Sequence, residues 1–198
     1  LFADDDYRKG TYLTTADDPY NHRPTYHKID NSVASYGKYK EVSDVFSIRT
    51  AEAYLNMAEA KAELGADQEA CTWLGKLREK RVANAQPVAL SGEALVKFIR
   101  EERERELFLE GHRWFDLRRY MVDEKYPYSK TIVHTMTYYA KDANGDYTAS
   151  KIDAYRLEKN DEAYTLDIPK TVRDFQPSIG SNYRPVRNVI TGDASVGE

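Results

Sequence analysis

Long apolar runs are missing from this sequence. No stretch of about 18 apolar residues occurs, so no segment reads as a transmembrane helix. Cysteine is reduced to Cys71, which excludes an internal disulfide and, without Cys or His neighbours at metal spacing, a thiolate metal site. It reads as a small packed hydrophobe. Charge of one sign is not concentrated anywhere: 29 Lys and Arg stand against 33 Asp and Glu, for a net charge of −4, and the two signs are interspersed. That pattern leaves no electrostatic footprint for nucleic acid, which is set aside as a partner. A Glu-x-x-His repeat, the signature of a carboxylate-bridged metal centre, is absent, and His112 stands alone beside a glycine. Neither a metal nor a cofactor is expected. The first residues, "LFADDDYRKG", have neither an initiating Met nor the pattern of a signal peptide, so the chain reads as cut from something longer, with any export signal or lipid anchor upstream.

What the chain does have is enough length for a core. Its 198 residues suffice for one ordinary domain or a large piece of a bigger one, and 31% charged residues against 41% hydrophobic ones imply a well-solvated surface rather than disorder. Tyrosine, at 16 copies, is abundant. Its flat ring and polar tip suit contact surfaces and core edges alike.

Residues 1–46 are loop-rich: "DDD", "ADDPYNHRP" and "SYGKYK" punctuate short polar-aromatic runs, read as extended segments that either wrap the surface or face a ligand. Residues 47–120 form a helical core. Ile48, Ala51, Leu55, Ala58 and Ala62 recur at helical steps from about Ser47 to Leu64, and Gly65 supplies a stop. Asp67 is placed to cap a second helix running to about Val82, with Ala70, Leu74 and Leu77 inward. The pair has about the length of one tetratricopeptide unit, although that repeat's Trp, Leu-Gly and Tyr pattern is not matched and no tandem copies follow. After a linker with Pro87, Ser91 caps a third helix that Gly111 interrupts. Residues 128–168 change to alternation and read as a strand-rich insert, an antiparallel meander of "TIVHTMTYYA", "YTASKIDAYRLE" and "AYTLDIP"; residues 169–198 read as an irregular tail. The class is mainly α, with tetratricopeptide-like helical hairpins, a small antiparallel β meander and long irregular loops.

The segment "REERERELFLEGHRWFDLRRY", Arg100 to Tyr120, poses the sharpest chemical question. On a helix, Leu95, Phe98, Ile99 and Leu109 make an apolar stripe with Glu102 and Glu106 on its centre line. Glu52 and Glu59 border the apolar face of the first helix in the same way. A carboxylate on a core-facing line is paired, protonated, bound to metal or catalytic, because desolvating it alone costs too much. Catalysis on a glycosidic bond needs two carboxyls flanking a substrate with room for a reacting atom between them, which neighbours on one helix do not offer, so no catalytic residue is assigned. Pairing fits better. Arg103 and Arg113 fall near the same face, and a guanidinium fork can satisfy two carboxylate oxygens. Glu52, Glu59, Glu102, Arg103, Glu106, Glu110, Arg113 and Asp116 are therefore expected to form a structural charge network, with an exposed salt-bridged face as the alternative.

Three strings, "SIRTAEAYLNMAEAKAELG", "WLGKLREKR" and "IREERERELFLEGHRWFDLRRY", resemble the C-terminal half of the SusD/RagB family of outer-membrane nutrient-binding lipoproteins. Arg49, Ala51-Glu52, Tyr54-Leu55 and Ala58-Glu59-Ala60 match the first block of its pattern. Glu102-Arg103, Glu106-Leu107, Glu110-Gly111, Arg113 and Asp116-Leu117 match the second. The resemblance is specific over about residues 47–120 and looser outside, where Ile168-Pro169 resembles a terminal Ile-Pro segment, and Asn182 and Tyr183 match only part of the family's closing motif. It implies a helical scaffold, a lipid anchor on the outer face of a Bacteroidetes-type outer membrane, and a lid on a TonB-dependent, SusC-like transporter. It implies capture of oligosaccharides or peptides without any reaction on them. Within such a protein, Tyr20, Asn21, His22 and Tyr26 combine rings with hydrogen-bonding tips in one loop and are the candidate ligand contacts, against ordinary loop packing. Trp73 and Trp114 read as core. Two rival functions remain: a helical-repeat protein-interaction module and a glycoside hydrolase.

Overall fold

The computed structural model describes residues 1–14, 25–26, 49–182 and 189–191, and these fall into two compact units, Leu1–Arg113 and Trp114–Glu198. Helices dominate the first and share the second with strands; the chain is mainly helical, with small antiparallel sheets.

In the first unit, helix α1 (Tyr7–Tyr12) starts where the Asp6 carboxylate accepts from the Arg8 amide at 3.0 Å. It leads into β1 (Leu13–Thr14), which pairs antiparallel with β2 (Thr25–Tyr26). The loop-rich reading of residues 1–46 thus gives way here to a capped helix and a two-residue ladder. Helix α2 (Thr50–Glu63) buries Ala51, Leu55, Ala58 and Ala62, as its periodicity requires, and also Glu59. Its end is fixed by Gly65 at φ 76°, whose amide bonds the Ala62 carbonyl at 3.0 Å while the Ala66 amide bonds Lys61 at 2.8 Å. Ile48, expected in the same stripe, lies outside the described residues.

Helix α3 (Asp67–Arg78) follows after three residues and packs along α2, burying Ala70, Leu74 and Leu77. It is shorter than the expected run to Val82. Asp67 is its first helical residue rather than its cap: Ala66 holds the cap position, and the Asp67 carboxylate instead accepts from the Gly92 amide at 3.1 Å. Helix α4 (Gly92–Glu106) lies against α2 and, over less surface, α3. Ser91 occupies its cap position without a side-chain bond. Leu55, Leu74, Leu95 and Ile99 are fully buried between these helices. Each stabilises by about 1.5–3 kcal/mol relative to exposure.

The expected stripe on α4 holds for Leu95 and Ile99, and Phe98 is half-buried beneath the Arg78 guanidinium, 4.9 Å from its ring. Leu109 does not belong to it. Helix α4 ends at Glu106, the chain turns through Leu109 at φ 57° and Gly111 at φ 83°, and Leu109 is left exposed. Helix α5 (His112–Met121) follows.

The second unit is organised on Leu117, Tyr120 and Tyr164, packed by Trp114, Met121, Ile132 and Leu157. Strands β3 (Ile132–Lys141) and β4 (Tyr147–Leu157) pair antiparallel, with a bulge at Tyr138 and Tyr139. Their turn is built by Asp142, whose carboxylate accepts from the amides of Asn144 and Asp146 at 2.8 and 3.0 Å. The third strand is not "AYTLDIP". Asp161 caps a single 3-10 turn, Glu162–Tyr164, by accepting from the Ala163 amide at 2.8 Å, and that turn drives Tyr164 into the core. The strand beside β4 is instead β5 (Ile190–Thr191). The expected irregular tail also contains helix α6 (Lys170–Phe175), which starts after Pro169 at φ −52°.

Candidate functional site

Glu102 and Glu106 stand one turn apart on α4, and neither side chain has any solvent exposure. Five arginines surround them. Arg8, from α1, reaches both: its Nη2 lies 2.7 Å from Glu102 Oε1 and its Nη1 donates to Glu106 Oε2 at 2.9 Å. Arg8 is itself held by Asp6 at 2.7 and 2.9 Å. Arg78, in the last turn of α3, donates to Glu102 Oε2 at 2.8 Å, as does Arg105 at 2.9 Å. Arg81, just past α3, lays its fork on Glu106 at 2.9 Å to each oxygen. Arg49, at the N-terminal cap of α2, donates to Glu106 Oε1 at 2.6 Å and to the Glu106 carbonyl, then grips Glu110 with two bonds of 2.8 Å.

Every carboxylate oxygen of the pair therefore faces a guanidinium, which sets the titration. Burial pushes the Glu106 carboxyl up, but Arg81 and Arg49 outweigh it and hold it down at about 2. Glu102 is lowered in the same way, burial being overcome by Arg8, Arg105 and Arg78. Burial depresses Arg8 and Arg49, yet their carboxylate partners raise both above the ordinary arginine value. Tyr12, buried nearby, is pushed up to about 12 by burial and by the Glu106 charge. Two ionised carboxylates with no exposed oxygen have no proton to give and no lone pair to offer a substrate. The cluster binds helices to one another.

The remaining members of the expected network are spread around it. Arg103 reaches α2, donating to Asn56 Oδ1 at 2.7 Å and lying 3.5 Å from Glu52. Glu52 also has His112 Nδ1 at 3.7 Å. Glu59 pairs with Arg100 at 3.4 Å. Arg113 pairs with Glu104 at 2.7 Å, away from the buried pair, and Asp116 with Arg119 at 3.1 Å. Sequence spacing missed Arg8, Arg49, Arg78, Arg81 and Arg105 as members. Arg78 and Arg81 carry a legible signal, basic residues three apart closing a helix that must pack on α4; Arg8, 98 positions from Glu106, carries none.

Of the candidate ligand contacts, Tyr20, Asn21 and His22 lie outside the described residues. Tyr26 sits in β2, paired with Leu13. The two tryptophans are half-buried: Trp73 meets Tyr54 edge-on at 5.4 Å with Lys76 above its ring, and Trp114 packs on the core of the second unit, 4.9 Å from the Tyr164 ring. On the β3–β4 hairpin, exposed Tyr138 and Tyr147 are each covered by a lysine of the same hairpin, Lys151 and Lys141. Among the described residues, a cleft opens on the surface of each unit. One, of about 490 Å³ in the first unit, runs between α3 and residues 85–88, with Cys71 and Lys76 in its wall. The other, of about 480 Å³ in the second unit, lies between α5 and residues 160–165. Among the described residues no group of three His, Cys, Asp or Glu side chains could hold a metal ion, and no helix is long and apolar enough to cross a membrane.

Residues 5–184 match the model of the SusD family. That span exceeds residues 47–120, where the resemblance is specific, and takes in Arg8 as well as most of the second unit. Neither the curated proteins nor the solved structures gave a match.

Proposed function

The chain belongs to the SusD family of nutrient-binding outer-membrane proteins, and from that premise we propose that it is the binding subunit of an uptake complex, capturing an oligosaccharide and passing it to a TonB-dependent, SusC-like transporter. It performs no reaction on the ligand. The anchor is an N-terminal lipid, and the protein works on the cell-surface side. Tyr20, Asn21, His22 and Tyr26 are the proposed loop contacts, with stacking on the rings and hydrogen bonds at their tips.

The observation that carries the reading is the occupancy of the buried pair. Glu102 and Glu106, the one place where the motif could have concealed a hydrolase, are held ionised by Arg8, Arg49, Arg78, Arg81 and Arg105. This favours capture over turnover. The test is calorimetry of the full-length protein against an oligosaccharide panel, with product formation followed in the same samples. Binding without product is the expected result. Product formation that is lost in a folded Glu102→Gln variant would replace the reading with a hydrolase, and binding of a protein partner with no affinity for any sugar would replace it with an interaction module.

A further inference from the structure

Arg118 is exceptional among the arginines of the described residues: it alone has no carboxylate within pairing distance. It stands on α5 three residues after Phe115, a spacing that places the two on one helix face, and Val122 follows just past the end of the helix. That stretch is solvent-exposed, Phe115 at 59% and Val122 at 77%. Opposite it, residues 160–165 close the cleft of about 480 Å³, within the usual size range of small-ligand sites.

The polar groups in this cleft divide into spent and unspent. Arg119 is held by Asp116 and lies over the Tyr120 ring, and the Asp161 carboxylate caps the Ala163 amide. Arg118, Asn160 and Glu162 make no side-chain hydrogen bond or ion pair among the described residues, although all three line the cleft. Together they offer a guanidinium donor, an amide that both donates and accepts, and a carboxylate acceptor. The charges cancel, so a strongly anionic or cationic ligand meets as much repulsion as attraction. A ligand whose every polar group can donate and accept satisfies all three at once, and vicinal hydroxyls do so. The exposed Phe115 ring gives the apolar face of such a ligand a surface to lie on.

We propose that the cleft between α5 and residues 160–165 is a subsite for a neutral pyranose unit, with Phe115 as the stacking surface and Arg118, Asn160 and Glu162 as the hydroxyl partners. The assignment rests on the oligosaccharide reading above and adds the place and the charge class of the sugar. It is independent of the loop at residues 20–26.

The test uses the full-length, ¹⁵N-labelled protein with maltohexaose, xylohexaose and mannohexaose as neutral probes, trigalacturonate as an anionic one, and a mixed pentapeptide. Wild type is compared with Phe115→Ala and Arg118→Gln, and with Tyr147→Ala on the hairpin as control. At least one neutral hexasaccharide should bind, both cleft variants should weaken it at least tenfold without a change in melting temperature, Tyr147→Ala should leave it unaltered, and the Asn160 side-chain amide resonances should move on titration. Undiminished binding by both cleft variants, with Asn160 unmoved, overturns the subsite and leaves the oligosaccharide reading standing. Preference for trigalacturonate overturns the neutral class. Failure of every sugar to bind, whether or not the pentapeptide does, overturns the subsite and the oligosaccharide reading together.

Discussion

Replacing Glu106 by Gln tests the central claim about the charge cluster. The substitution keeps the shape but removes the charge that Arg8, Arg49 and Arg81 share, leaving three guanidiniums, one of them nearly fully buried, around an amide. Removing one partner of a buried ion pair costs about 3–5 kcal/mol. An independent figure comes from titration. A fall of the Glu106 carboxyl from its ordinary 4.5 to about 2 is worth about 3 kcal/mol of folding stability. Because the folded value is the lower one, that stability is fully present above pH 4.5 and is lost as the pH falls towards 2. Urea unfolding at pH 7 should therefore show Glu106→Gln less stable than wild type by about 3–5 kcal/mol. The gap should narrow by about 3 kcal/mol as both proteins are taken down through the interval from 4.5 to about 2. Glu104→Gln, which removes the half-exposed partner of Arg113, should cost less than about 1 kcal/mol. A Glu106→Gln protein within experimental error of wild type at pH 7, or a gap that does not change with pH, refutes the reasoning.

Arg49→Lys keeps the charge but loses the fork that grips Glu110 and reaches Glu106, so chemical denaturation should show a loss of about 2 kcal/mol, where a simple point-charge role predicts almost none. Tyr12, whose hydroxyl is pushed up to about 12, stabilises the fold below pH 10 and loses that contribution as the pH rises from 10 towards 12; Tyr12→Phe should unfold with a shallower alkaline dependence, read by circular dichroism across that interval. At Gly111, φ is +83° and nothing lies within 4 Å of an added Cβ, so Gly111→Ala should lower stability by about 1–2 kcal/mol through backbone strain alone, measurable as a drop in the urea midpoint without a change in slope.

The helical body was legible because its signals are local. Ala51, Leu55, Ala58 and Ala62 mark the buried face of α2 by period, and Gly65 marks its end because glycine readily takes the left-handed conformation that closes it. The burial of Glu102 and Glu106 could also be read from their place among apolar neighbours. Most of their partners could not, since Arg8, Arg49, Arg78 and Arg81 are near only after folding; Arg105, three residues from Glu102, is the partner that spacing could have found. In the second unit, "AYTLDIP" alternates like a strand, yet the Asp161 cap and the demand of Tyr164 for burial decide for a turn. The cleft beside α5 left no pattern either, because it joins Phe115 and Arg118 to Asn160 and Glu162 across more than forty positions of chain.

Helix α1 is only six residues long, and a helix of that length ordinarily frays, exchanging its amide hydrogens with solvent almost as fast as an unfolded segment. Here the N-terminal end is sewn to the body: the Tyr7 amide bonds the Arg81 carbonyl, the Ala83 amide bonds the Asp5 carbonyl, each at 2.9 Å, and Arg8 supplies the guanidinium at Glu102 Oε1. Lifting α1 away would strand a carboxylate oxygen in the interior. The segment therefore has no inexpensive open state of its own, and its amides should exchange with the slowness of α4 rather than that of a loose end.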